Sequence, residues 1–140
     1  MLFRSQALIE LSNAALALPG AVTFLSAGDG SGTHAAEQAL WRLAKIAPAV
    51  PWYAAADAKT GLIAQARTRG AYALVERGAW LAQGGAPLAV LVEGDPRMQA
   101  PVHVMRSFRI NHPAGKIFAA WITGPKGRKV VAGVRGYRAP

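Results

Sequence analysis

A short apolar run, Ala21-Val22-Thr23-Phe24-Leu25-Ser26, leads through the turn Gly28-Asp29-Gly30-Ser31-Gly32 into a long stretch of helical spacing. There Ala36, Ala39, Leu40, Leu43 and Ile46 recur every three or four positions, the mark of one buried helix face. A buried strand, a glycine turn and an amphipathic helix in direct succession leave few fold classes open. The rest of the chain keeps the alternation. Trp52-Tyr53 fall in a loop or short strand, residues 60–68 read as a helix stopped by Gly70, and residues 71–75 as a strand. Residues 76–82 give one or two helical turns. Residues 88–93, Leu-Ala-Val-Leu-Val-Glu, form the clearest buried strand, ended by Gly94-Asp95-Pro96. Strands alternating with helices predict an α/β domain.

The two ends of the chain differ. Near the start, Ala7, Leu8, Leu11, Ala14, Ala15 and Leu18 recur at helical spacing, and Gln6, Glu10, Ser12 and Asn13 interrupt them. Although Arg4 lies in front, the stretch Met1 to Gly20 lacks the continuous apolar core of a secretory signal and reads as an amphipathic helix. Toward the other end, residues 102–108 are expected to be extended and residues 113–123 helical, with Ile117, Phe118, Trp121 and Ile122 as the apolar side. Gly124-Pro125 breaks that helix, and residues 126–134 read as a second, basic helix. No stretch reaches the ~18 apolar residues of a membrane span.

Charge separates the same two parts. Residues 1–96 carry seven Lys or Arg and seven Asp or Glu, whereas residues 97–140 carry nine Lys or Arg and no acid. Such a tail suits nucleic acid, an acidic partner or an anionic surface, or is simply a solvated face. With 140 residues, 52% of them apolar and only 16% charged, a disordered chain is excluded and a single domain, residues 1–140, is expected. There is no cysteine, so disulfides, thiolate zinc and a cysteine nucleophile are excluded.

Chemistry concentrates in Ser26-Ala27-Gly28-Asp29-Gly30-Ser31-Gly32-Thr33-His34. Glycines let a backbone turn tightly and approach a ligand. Ser31 and Thr33 offer hydroxyls, and the free N–H groups of a helix start favour an anion. The Gly-Lys-Ser/Thr of a Walker loop and the Gly-x-Gly-x-x-Gly of a dinucleotide site are both absent. The same residues also suit a plain helix cap, with Ser31 or Thr33 at the helix start and Glu37 nearby. His34, His103 and His112 show no metal-ligand spacing, and no nucleophile–base pair is visible, so no enzyme is expected. Asp29 and Asp95 read as turn organisers. Trp41, Trp52, Trp80 and Trp121 read as core.

Three further pieces join this loop: Pro51-Trp52-Tyr53, then Gly70-Ala71-Tyr72-Ala73-Leu74-Val75-Glu76-Arg77-Gly78, then Leu91-Val92-Glu93-Gly94-Asp95-Pro96. In this order and spacing the chain resembles the second lobe of the tungstate-binding, periplasmic solute-binding proteins of ABC transporters. The helix over 117–123 with Gly124-Pro125-Lys126-Gly127 is similar to that family's close. The resemblance covers residues 20–135. It implies a single lobe of a periplasmic-binding-protein-like α/β fold, with a mixed sheet flanked by helices. It implies no cofactor and no metal. The implied ligand is tungstate, molybdate or another tetrahedral oxyanion, held by Ser26, Gly28, Ser31, Gly32 and Thr33. The implied partner is an ABC transporter permease, in the periplasm; with no signal visible, the chain as written would stay in the cytoplasm.

Departures from the family are specific. Its first lobe would precede residue 1. Its loop arginine falls on Ala27, and its Gly-x-Gly-Met segment falls on Asp57-Ala58-Lys59-Thr60. An arginine gives an oxyanion a fixed fork of charged donors, and Lys59 is the nearest substitute. In this family residues 98–140 would return to the first lobe. They are therefore expected to form an interface, in a homo-oligomer or with a separate first-lobe chain. The alternatives are a lobe without ligand that serves as an interaction or dimerisation module, and a basic tail that binds nucleic acid, for which no motif speaks.

Overall fold

The structure is a computed structural model and describes residues 5–139. Met1, Arg4 and Pro140 lie outside the described residues. Helix α1, Ser5–Ala17, stops ahead of Pro19 and Gly20, because a proline pushes the residue before it out of the helical region. Strand β1, Phe24–Ser26, is the middle of a three-stranded sheet. Helix α2, Gly32–Leu43, leads to strand β2, Tyr53–Ala55. Helix α3, Leu62–Arg69, then crosses to strand β3, Tyr72–Ala73, on the other side of β1. All pairs are parallel, with Phe24 opposite both Tyr53 and Tyr72.

Alternation along β1 divides the core. Successive side chains of a strand point to opposite faces, so Phe24 joins Ala15, Trp41 and Trp52, while Leu25 joins Ala66 and Ala71. Helices α1 and α2 thus cover one face of the sheet and α3 the other. Trp41 is only 1% exposed and meets the Phe24 ring edge-on at 5.1 Å, a favoured aromatic geometry. Trp41 and Trp52 are core, as the sequence predicts. Helix α3 ends at Gly70, whose φ of +60° is left-handed and suits a glycine cap.

Helix α4, Arg77–Gln83, follows β3. Beyond it the structure departs from expectation. Residues 88–93 form no strand, and Leu91 is 72% exposed. An apolar run becomes a buried strand only with a backbone partner and a covering layer. Here only Leu88 reaches the core beside Leu25. Without this run the sheet, expected to be mixed, is purely parallel among the described residues. Residues 102–108 likewise join no sheet. Helices α5, Pro113–Thr123, and α6, Pro125–Gly133, lie within a residue of their predicted ends. They pack on each other so closely that a Cβ on Gly127 would overlap the backbone of Trp121 and Ile122. Trp121 is 40% exposed, so the expectation that it is core fails: among the described elements only α6 packs closely on α5.

Candidate functional site

Parallel sheets place their binding crevices at the carboxyl ends of the strands, where the chain order reverses. Here that point lies beyond β1, between the connection to β2 on one side and β3 on the other. Two adjoining hollows open there, of about 170 and 140 Å³. They share Ala27, Asp29 and Leu62. Gly28 makes the loop possible: its φ is +62°, and a Cβ would stand 2.8 Å from the Cβ of Ala55 on β2.

The loop then bonds to itself. Asp29 Oδ1 accepts the Ser31 N–H at 2.9 Å, and His34 Nδ1 accepts the Gly30 N–H at 3.1 Å. Ser31 caps α2, its Oγ accepting the His34 N–H at 3.3 Å. Ser31, through its hydroxyl and then its backbone N–H, holds the Asp29 carboxyl below the ordinary carboxylate value. Two donors remain open. The N–H groups of Gly32 and Thr33, in the first turn of α2, make no hydrogen bond among the described residues. An α-helix leaves its first donors without internal partners, and they carry the positive end of its dipole.

The five expected residues therefore divide. Ser31 and Thr33 line the larger hollow, and Gly32 offers its N–H at the same helix end. Gly28 supplies backbone shape. Ser26 is 1% exposed, and its Oγ has no hydrogen-bond partner among the described residues. Ser26 points to the Phe24 face of β1, under α2, so the structure does not bring its hydroxyl into the crevice. It lies near the Tyr53 hydroxyl, which donates to Glu37 Oε1 at 2.7 Å, as does Trp41 Nε1 at 3.1 Å. Burial raises the Tyr53 pKa above the usual tyrosine value, and Glu37 adds to the rise.

Sequence reasoning missed the opposite wall. Glu76, between β3 and α4, lines the larger hollow and accepts the Thr33 hydroxyl proton on Oε1 at 3.1 Å. Its position at a strand end and a helix start was the available signal. Asp57 lines the smaller hollow, and the buried Gln65 brackets its backbone, accepting from its N–H at 3.0 Å and donating to its carbonyl at 2.7 Å. Lys59 meets Asp57 only through a backbone N–H. Among the described residues, neither hollow is lined by Lys or Arg. His112, like His34, accepts a backbone N–H at a helix start. No group of three metal-ligating side chains occurs among the described residues, and none of their helices is long and apolar enough to cross a membrane.

This architecture is one lobe of a periplasmic-binding-protein-like fold. Over 93% of this chain it superposes on 56% of a chain in the crystal structure of the tungstate ABC transporter from Geobacter sulfurreducens, with TM-score 0.70 and 27% identity. The chain is a homologue of tungstate-type, anion-binding proteins of ABC transporters. It is 32% identical over 126 residues to the tungstate-binding protein TupA of Peptoclostridium acidaminophilum, covering 84% of this chain and 44% of that protein. It is 31% identical over 122 residues to an ABC transporter anion-binding protein of Haloferax volcanii, covering 79% of this chain and 36% of that protein. The chain thus spans less than half the length of these curated relatives. No protein-family model matches it.

Proposed function

We propose that this chain binds a tetrahedral oxyanion of the tungstate or molybdate type, as one lobe of the solute-binding component of an ABC transporter. The observation that carries this reading is the open N–H pair of Gly32 and Thr33 at the sheet's reversal point, in a chain 32% identical to a tungstate-binding protein. The helix end, the Ser31 cap and a rotation of the Thr33 hydroxyl away from Glu76 supply the donors. Nothing covalent is needed. A permease is the partner this role requires, and the periplasm its place. Ala27 leaves the crevice without the charged fork that the family loop carries.

Thermal unfolding in tungstate, molybdate, sulfate and phosphate tests the reading. An anion at about 100 times its dissociation constant adds about 2.7 kcal/mol, which raises the midpoint of a domain this size by several degrees. A rise with tungstate or molybdate, lost in Thr33→Pro at the open donor, is expected. No rise with any anion overturns the proposal.

A further inference from the structure

We infer, on the oxyanion reading above, that Glu76 makes this crevice take each anion together with one proton. Glu76 stands directly before α4, and its side chain makes no capping bond there. It reaches across the larger hollow instead, where Oε1 accepts the Thr33 hydroxyl at 3.1 Å. It forms no ion pair among the described residues, and the adjacent cation, Arg77, is turned to Glu93 at 2.8 Å. Glu76 is exposed, so a proton reaches it from solvent without any opening of the fold.

The donors and acceptors of this wall call for that proton. An ionised carboxylate can only accept hydrogen bonds, and so can a fully ionised oxyanion. Side by side at the Thr33 hydroxyl they compete for one donor, and their like charges repel. The surrounding elements offer nothing against the repulsion. The α2 side gives Asp29, α3 gives Leu62 and Ile63, and α4 gives Ala79 and Gln83. Among the described residues no Lys or Arg lines this hollow, and His34 uses Nδ1 to accept the Gly30 N–H. One proton removes the conflict. Placed between a Glu76 carboxyl oxygen and an anion oxygen, it turns two acceptors into one charge-assisted O–H···O bond. The Thr33 hydroxyl is then free to turn to the anion, beside the open N–H groups of Gly32 and Thr33. The proton comes from solvent and leaves with the anion. Asp29 does not take this part. Its Oδ1 already accepts the Ser31 N–H at 2.9 Å, and Ser31, through its hydroxyl and then its backbone N–H, holds that carboxyl below the ordinary carboxylate value.

Calorimetry of the full chain with molybdate, in paired buffers of different ionisation heat between about pH 6 and about pH 8, reads the proton directly. Expected is uptake of about one proton per anion and an affinity that falls about tenfold per pH unit. In Glu76→Gln, whose amide brings its own N–H donor, uptake and slope vanish, and binding at about pH 8 tightens about tenfold. Binding by the unaltered chain without proton uptake overturns the proposal and leaves the oxyanion reading standing. So does a slope that persists in Glu76→Gln, or one that vanishes in Asp29→Asn instead. Molybdate binding by neither the unaltered chain nor Glu76→Gln at any of these pH values overturns the proposal and the molybdate reading together.

Discussion

Residues 5–97 and 98–139 both contain many large apolar side chains, and they use them in opposite ways. In the first region Trp41, Phe24, Leu25 and Trp52 are buried around a sheet. In the second, Gly127 alone is buried, while Phe108, Ile117 and Trp121 face out. The difference is one of partners. A parallel sheet covered on both faces gives every apolar side chain an opposing layer. A pair of helices packed only on each other can enclose little. Apolar composition predicts burial only where the topology supplies the second layer.

Four measurements sharpen or break this comparison. Trp41→Ala removes the centre of the first core and is expected to cost about 3–5 kcal/mol in denaturant unfolding. If the loss is below about 1 kcal/mol, the core lies elsewhere. Gly28→Ala forces a side chain into a left-handed position against Ala55, and about 1–3 kcal/mol is expected. Its crevice should also lose shape, read as weaker anion binding.

Tyr53 gives the first region an alkaline signature. Burial raises its folded pKa above the usual tyrosine value, so the folded chain holds that proton more tightly than the unfolded one. The stability it contributes is complete below about pH 10 and is lost as pH rises through the folded value. Tyr53→Phe should flatten that alkaline decline in unfolding midpoints, and a decline unchanged in the variant would place its origin in another group. The smallest effect belongs to the second region. Ile117→Ala, at an exposed helix position, should stay within about 0.5 kcal/mol in the isolated chain. A larger cost would mean that α5 is covered in solution.

Much of the fold was legible in local sequence. Periodicity located α2, and Gly70, Pro113 and Pro125 marked helix ends, because glycine and proline act through their own dihedral angles. The glycine turn after Phe24-Leu25-Ser26 was also legible, since Gly28 and the Ser31 cap are local devices. Residues 88–93 misled, because a run of Leu and Val looks the same whether or not a neighbouring strand exists. The candidate site was only half legible. Its α2 wall follows one continuous motif, whereas Glu76 lies 43 residues from the Thr33 hydroxyl it accepts from.

The sequence by itself determined the strand–turn–helix unit, the donors at its turn and the separation of neutral from basic charge. These depend on neighbours along the chain, through backbone sterics, capping and side-chain type. Only the tertiary structure decided that Ser26 faces the core, that the Glu76 carboxylate joins the crevice beside Thr33, and that α5 is covered only by α6 among the described elements. Those facts depend on which face of a strand meets which layer, and on contacts between residues far apart in the chain. Such contacts form only when the entropy of closing long loops is offset by the surfaces they bury.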